Sequence, residues 1–456
     1  MYDVVILGGG SGGYASAIRA SQLGGTVALI EADEIGGTCV NRGCIPSKIL
    51  LHAADLLHRI KKSDIFGIRV TLQEVNLAAV MDRIHGVTGD IRMGMEGLLG
   101  YNRVKVIRGR AVLKTPNTVS VGDSIIKAKS IIVATGSRPD IPAISGLEDV
   151  ASTTDEIIDM KELPGSVLIW GAGPVELEMA TLLNRFGSKV TIAMEDARIL
   201  PQEDRDTSQR VAQVLRSEGI NIQSRSQLVE VKKTKKGCTC RLAGNKEYTV
   251  ETEKILVATR KPNTAHMGLE QAGVRMESDG SIHVNKHLET TANGIYAVGD
   301  AAGGWMLSHA ASAMGIIAAE NAMGKSSKFS FDTVPRGIWT DPEVGAVGLT
   351  EEEAEKRGYE VEIGDFPYTI NGLAMAQDHL TGAVKVVSEA KYGKILGVHV
   401  VGKGATELVG EAVLAMELEA TVREFARSIR VHPTFSETLV EAFRDAANWA
   451  LYLQNR

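Results

Sequence analysis

The apolar positions of the first thirty residues spell strand, turn, helix, strand. Val4-Val5-Ile6-Leu7 is an unbroken apolar run, as a parallel strand buried on both faces requires. Gly8 to Gly13 interrupt it with no large side chain. Ala15, Ala17, Ile18, Ala20 and Leu23 then recur at helical spacing, and Thr26-Val27-Ala28-Leu29-Ile30 forms a second run ending in Glu31. The pattern returns later in the chain. Val167-Leu168-Ile169-Trp170 is a strand, Gly171 to Glu178 a turn entering a helix, Met179, Leu182, Leu183 and Phe186 the helix face, and Lys189 to Met194 the next strand. Two such βαβ units predict an α/β fold with parallel sheets.

Other segments are expected around these units. Residues 61–110 give a charged linker and a long helix-like run, and strand-like segments follow from Asn102 to Val121. Ser130 to Gly136 is a buried strand ending in a glycine turn, with Thr135 at its tip. Gly294 to Asp300 is another, leading to a helix over His309–Asn321. From Phe331 the character changes to α+β, with strands at 337–348, 361–370, 383–388 and 394–401 and helices near 405–417 and 421–428. A last amphipathic helix is marked by Leu439, Val440, Phe443, Ala446 and Ala447. The expected segments are 1–148, 149–264, 265–330 and 331–456.

Composition narrows the function. The 456 residues are 44% hydrophobic, enough for sizeable cores, and the length suggests about three domains. A net charge of −6 and a pI near 6.0 argue against nucleic acid or an anionic membrane as the main partner. No apolar run approaches the ~20 residues of a membrane span. The first strand pattern begins directly after Met1, so no targeting peptide is expected and the location expected is cytoplasmic. Four cysteines do not make a disulfide scaffold.

The first turn contains G-x-G-x-x-G at Gly8, Gly10 and Gly13. In this strand–turn–helix context the glycines let backbone approach a pyrophosphate at the helix N-terminus, and Glu31 can accept from a ribose. The stretch Gly36-Gly37-Thr38-Cys39-Val40-Asn41-Arg42-Gly43-Cys44-Ile45-Pro46-Ser47-Lys48 follows. Its two cysteines precede an apolar helix-patterned run, Ile49 to Leu57. A helix start and the nearby Lys48 both favour a thiolate, so the pair is expected to be redox-active. The other readings are a structural disulfide or half of a zinc site, and zinc would need four ligands. Cys238 and Cys240 sit far along the chain in a strand-like stretch and read as structural. Near the C-terminus, His432 could move a proton for a thiol, a task to which an imidazole is suited. Glu437, at the start of the last helix, could orient its ring.

The fingerprint together with GGTCVNRGCIPSK resembles the flavin-dependent pyridine nucleotide-disulfide oxidoreductases, and among them the dihydrolipoamide dehydrogenases, along essentially the whole chain. The resemblance implies two Rossmann-like domains, for FAD and for NAD, plus a C-terminal α+β dimerisation domain beginning near Ile338-Trp339-Thr340-Asp341-Pro342. It implies a Cys39–Cys44 redox disulfide, with Cys44 facing the flavin and Cys39 exchanging with substrate. It further implies FAD contacts at Gly37, Thr38, Thr135, Gly136 and Asp300, a Lys48–Glu178 pair near the flavin ring, and NAD contacts at Gly171, Gly173 and Glu195. His432 would reach the redox pair of the other subunit of a homodimer. The substrate would be a lipoyl arm on a protein of a 2-oxoacid dehydrogenase or the glycine cleavage system.

The second unit departs from the family pattern. Glu176 stands where the third fingerprint glycine belongs, Met194 where the strand-end acid belongs, and the glycine expected between Thr259 and Arg260 is missing. Weak NAD(H) binding is therefore expected. Two alternatives remain on the sequence. One is a related reductase acting on glutathione, mercury or another disulfide. Against it, Glu195 and Asp196 oppose a 2′-phosphate, only Arg198 follows them, and Asn448–Arg456 holds no cysteine pair. The other is a flavoprotein electron-transfer subunit, supported only by the degenerate second fingerprint.

Overall fold

A computed structural model describes residues 1–244 and 246–454, so the last two residues of the Asn448–Arg456 stretch lie outside the described residues. In chain order the principal elements begin with β1 (Tyr2–Leu7), α1 (Ser11–Gln22) and β2 (Val27–Glu31). After a short helix, Gly37–Asn41, come α2 (Cys44–Lys61), α3 (Leu77–Tyr101), β3 (Lys105–Arg108) and β4 (Ser124–Val133). The second unit supplies β5 (Ser166–Trp170), α4 (Pro174–Phe186), β6 (Lys189–Ala193), β7 (Asn221–Gln223), β8 (Gly237–Ala243) and β9 (Lys254–Val257). β10 (Ile295–Ala297) and α5 (Ser308–Ala322) follow. The C-terminal strands are β11 (Arg336–Ile338), β12 (Val344–Gly348), β13 (Val361–Pro367), β14 (Ala383–Glu389) and β15 (Ile395–Val401), with α6 (Ala405–Glu417) and α7 (Ser436–Ala446) closing the chain.

These elements gather into two compact units. One comprises Met1–Pro142, Ser152–Glu162 and Ala258–Ser330; the other comprises Ala143–Ala151, Leu163–Val257 and Phe331–Arg456. The four segments expected from sequence ended at 148, 264 and 330.

In the first unit β3, β2, β1 and β4 lie side by side, all parallel, and β10 pairs parallel with β4 on the far side. Alternate residues of β1 face opposite ways. Val5 and Leu7 pack with Ala28, Ile30, Ile131 and Ile295. Val4 and Ile6 pack with Leu29, Ile132 and the helix residues Ala17, Ala20, Met314 and Ala318. Two covered faces explain the unbroken apolar runs, and each such side chain contributes about 1.5–3 kcal/mol by burial. α1 and α5 approach closely, with the Ser16 hydroxyl donating to Gly12 O at 2.8 Å and Gly315 O at 3.0 Å.

In the second unit β7, β6, β5 and β9 pair in parallel in that order. An antiparallel sheet over residues 227–252 includes β8. There Cys238 and Cys240 are buried as free thiols with their sulfurs 3.9 Å apart. The C-terminal part is an antiparallel sheet in the order β11-β12-β15-β14-β13, packed on a core that includes Phe366, Tyr368, Val398, Phe425, Leu439 and Phe443. Among the described residues no helix is long and apolar enough to cross a membrane.

Candidate active site

The first fingerprint is a turn with no room for side chains. A Cβ on Gly13 would lie 1.8 Å from Gly8 O, so α1 can leave β1 this sharply only with glycine there. The cysteine segment rests directly on this turn. Gly36 N–H donates to Gly9 O at 2.9 Å, and a Cβ on Gly37, at φ +56°, would lie 2.8 Å from Gly10 Cα. Asn41 fixes the segment by donating to Ile35 O at 3.0 Å and Gly37 O at 2.9 Å, and itself accepts from Arg92 at 3.0 Å. Glu31, at the end of β2, accepts from Gly9 N–H at 2.5 Å and Asp33 N–H at 2.7 Å.

Cys39 lies in the short helix Gly37–Asn41, and Cys44 is the first residue of α2. Both are half-buried thiols, hydrogen-bonded to one another. The pair shares its protons unequally. The bond from Cys44 pulls the Cys39 thiol down to about 6 against the opposing effect of burial, with help from the hydroxyls of Ser308 and Ser11 and from the Lys48 ammonium. Cys44 is pushed up, first by its hydrogen bond to Cys39, then by burial and the neighbouring negative charge. The helix N-terminus and Lys48 thus stabilise one charge on the pair. Ser11 and Ser308, 2.6 Å apart, sit at the first residues of α1 and α5.

The strand-end motifs meet nearby. Ser137 donates to Asp300 Oδ2 at 2.6 Å, and Arg260 Nε donates to Ser137 Oγ at 2.9 Å. Arg260 also donates to Ser137 O at 2.9 Å and reaches Thr38 Oγ1 at 3.4 Å. Gly136, at φ +66°, joins Thr135 to Ser137. The turn lacking a glycine at Thr259 is closed by its own bonds: the Thr259 hydroxyl donates to Asp140 O at 2.6 Å, and Asp140 N–H donates to Thr259 O at 2.9 Å.

Further along, His432 Nδ1 is 2.9 Å from Glu437 Oε1, and Glu437 Oε2 accepts from Thr434 N–H at 2.8 Å. The imidazole is 78% exposed and is flanked by exposed Ile429 and Val431. In the second fingerprint, Glu176 is buried inside its own turn. Met194 is buried just beyond β6, and Glu195 is exposed. Glu178 is buried on α4 and accepts from Trp339 N–H at 3.1 Å. Lys48 belongs to the first unit and Glu178 to the second.

Residues 2–315 match the family model of pyridine nucleotide-disulphide oxidoreductases, and residues 334–443 match the dimerisation domain of the same family. The chain belongs to this family. Dihydrolipoyl dehydrogenase from Thermus scotoductus is 40% identical over 100% of this chain and 99% of its own length. One from Bacillus subtilis is 38% identical over 99% of both chains, and a leghemoglobin reductase from Vigna unguiculata is 37% identical over 96% of this chain and 86% of its own. Among solved structures, LpdA from Mycobacterium tuberculosis superposes with a TM-score of 0.89 at 27% identity, covering 97% of this chain and 98% of that one. RclA, an HOCl-induced flavoprotein disulfide reductase from Escherichia coli, does so with 0.86 at 27% identity, over 96% and 99%.

Members of this oxidoreductase family with these relatives use FAD and NAD, and the two halves of the chain fit them unequally. The first turn fits a flavin dinucleotide. A Cβ on Gly10 would meet nothing nearer than Gly37 Cα at 3.8 Å, so the cradle over the turn is open. Among the described residues the buried Thr135 hydroxyl, beside Gly8, has no hydrogen-bond partner, and a ligand in the cradle would satisfy it. The second turn is filled by the Glu176 carboxylate. Ser11, Ser137, Arg260 and Ser308 were given no role in the sequence reading, because nothing local marks a hydroxyl or a guanidinium as facing residues more than 100 positions away.

Proposed function

We propose that this member of the family oxidises protein-bound dihydrolipoamide and returns the electrons to NAD+, working as a homodimer in the cytoplasm. The observation that carries the reading is the Cys39–Cys44 thiol pair, seated at the N-terminus of α2 against a fingerprint turn that fits FAD. The full-length similarity to dihydrolipoyl dehydrogenases favours this substrate over the glutathione, mercury and electron-transfer alternatives.

The chemistry is thiol–disulfide exchange. One substrate thiolate attacks Cys39 Sγ of the oxidised pair. The Cys39–Cys44 bond breaks, and Cys44 leaves as a thiolate eased by the helix N-terminus and Lys48. His432 of the partner chain takes the proton of the second substrate thiol, and that sulfur attacks the mixed disulfide. Cys39 then leaves as a thiolate, and the substrate departs as a cyclic disulfide, two electrons and two protons poorer, one proton having gone to solvent when the first thiolate formed and the other to His432. Glu437, on Nδ1, holds the imidazole with Nε2 turned outward to receive the proton. Bound FAD would supply the two-electron relay from the dithiol to the pyridine nucleotide. Gly8, Gly10, Gly13, Glu31, Gly37, Thr38, Thr135, Gly136 and Asp300 are the residues proposed to hold it. Gly171, Gly173 and Glu195 are those proposed for NAD.

The partner is proposed to be the lipoyl-bearing protein of a 2-oxoacid dehydrogenase or glycine cleavage system. Steady-state turnover with dihydrolipoamide and NAD+, set against glutathione disulfide with NADPH, tests the reading. The first pair turns over and the second does not; the reverse result overturns it.

A further inference from the structure

The two fingerprint turns share a sequence pattern but differ in what lies over their glycines. Above Gly10 the space is open to 3.8 Å. Above Gly171 and Gly173 it is occupied, because a Cβ on Gly171 would lie 3.0 Å from Glu176 Oε1 and one on Gly173 would lie 2.8 Å from Glu176 Oε2. The two carboxylate oxygens therefore face these two glycines, whereas at Gly10, the counterpart of Gly173, the space is open. Glu176 is only 8% exposed, in the first turn of the 13-residue helix α4, where unpaired N–H groups and the helix dipole favour an anion. A pyrophosphate would be held by the same groups.

We infer that Glu176 is a built-in occupant of the nicotinamide dinucleotide site: its carboxylate fills the pyrophosphate cradle of the second turn, so a dinucleotide binds only by neutralising or displacing it. Glu176 thereby sets how strongly, and at what pH, this chain accepts NAD(H). The inference rests on the reading of the second unit as the nicotinamide site. Burial holds the carboxyl above its ordinary range, and the N–H groups of Gly173 and Glu176 only partly offset it. The charged groups on the surrounding elements are Glu178 and Arg185 on α4, Lys189 on β6, Glu195 and Asp196 beyond β6, Arg198 and Glu203 in the following loop, and Arg336 on β11; burial and the backbone of the turn itself account for the shift. A phosphate placed beside the carboxyl raises it further. Dinucleotide affinity therefore falls as pH rises through the value of the empty turn.

The test uses the FAD-loaded protein and ADP-ribose, which carries the pyrophosphate without a reducible ring, with calorimetry as the readout. Relative to the parent, Glu176→Gly should tighten binding roughly ten- to hundredfold at pH 8, the scale expected from removing a like charge ~5 Å away at an effective dielectric of ~20. Glu176→Gln, which keeps the bulk and drops the charge, should tighten it several-fold. The parent should bind more weakly at pH 8.5 than at pH 5.5, and the Gln variant should lose that difference. FAD content at the parental level shows that the variants have folded. A parent that binds as tightly as both variants at both pH values overturns the inference. ADP-ribose binding involves no thiol, so this can fail while dihydrolipoamide still reduces the flavin, and the reverse also holds.

Discussion

At the scale of single residues the account turns on how two thiols divide their protons. A free cysteine titrates near 8.5, whereas Cys39 is drawn to about 6 by Cys44, Ser308, Ser11 and Lys48. Carboxymethylation of Cys39 in the reduced protein should therefore rise with pH through a midpoint near 6 and stay flat from pH 7 upward. Mass spectrometry of the labelled peptide checks it, and a midpoint near 8.5 would show that the hydrogen bonds to its sulfur are not made. His432 is the second such residue. His432→Gln should slow thiol exchange by on the order of 10²–10⁴, the usual contribution of a positioned base, while flavin content is retained. That Cys39 lies beside Cys44 and His432 beside Glu437 was legible, because cysteine spacing and a helix start are local signals. The Arg260–Ser137–Asp300 chain was not, since each of its hydrogen bonds joins residues more than 100 positions apart and carries no periodicity. Glu176 was legible as a departure from the pattern. Its inward direction was not, because sequence alone allows the side chain to swing into solvent.

Among the elements, the β1–α1 turn and the start of α2 depend on one another. Gly13 admits no Cβ, and Gly36 and Gly37 lie on Gly9 and Gly10, so a distortion of the first turn displaces the cysteine segment too. Gly13→Ala should therefore abolish FAD retention, as visible absorbance of the purified protein would show; a yellow, stoichiometrically loaded variant would contradict the packing. The strands and helices themselves followed closely from periodicity. The helix expected over His309–Asn321 runs Ser308–Ala322, and the strands at 361–367, 383–389 and 395–401 fall close to their expected spans, whereas the single run expected over 337–348 is two antiparallel strands, 336–338 and 344–348. Parallel strands buried on both faces and antiparallel strands with distinct turns both leave strong marks. The buried ion pair Arg336–Glu203, at 2.8 and 3.0 Å, and the fully buried His399 left none, because nothing in the flanking residues distinguishes a charge in the core from one on the surface.

For the whole molecule, the proposed mechanism draws its base from the partner chain. The dimerisation domain spans residues 334–443, His432 lies within it with its imidazole exposed, and Ile429 at 94% and Val431 at 77% exposure flank it with apolar surface that a partner would cover. Cys39→Ser and His432→Gln chains, each inactive alone, should regain roughly a quarter of parental turnover when unfolded and refolded together, since each hybrid of a two-fold dimer rebuilds one site from two intact halves. Activity no greater than the sum of the two homodimers would place the base and the cysteines in one chain. Above all, the account holds that electrons enter through Cys39. Anaerobic rapid mixing of the FAD-loaded protein with dihydrolipoamide, followed by flavin absorbance, should show prompt reduction in the parent and none in Cys39→Ser. A Cys39→Ser protein reduced at the parental rate would contradict it.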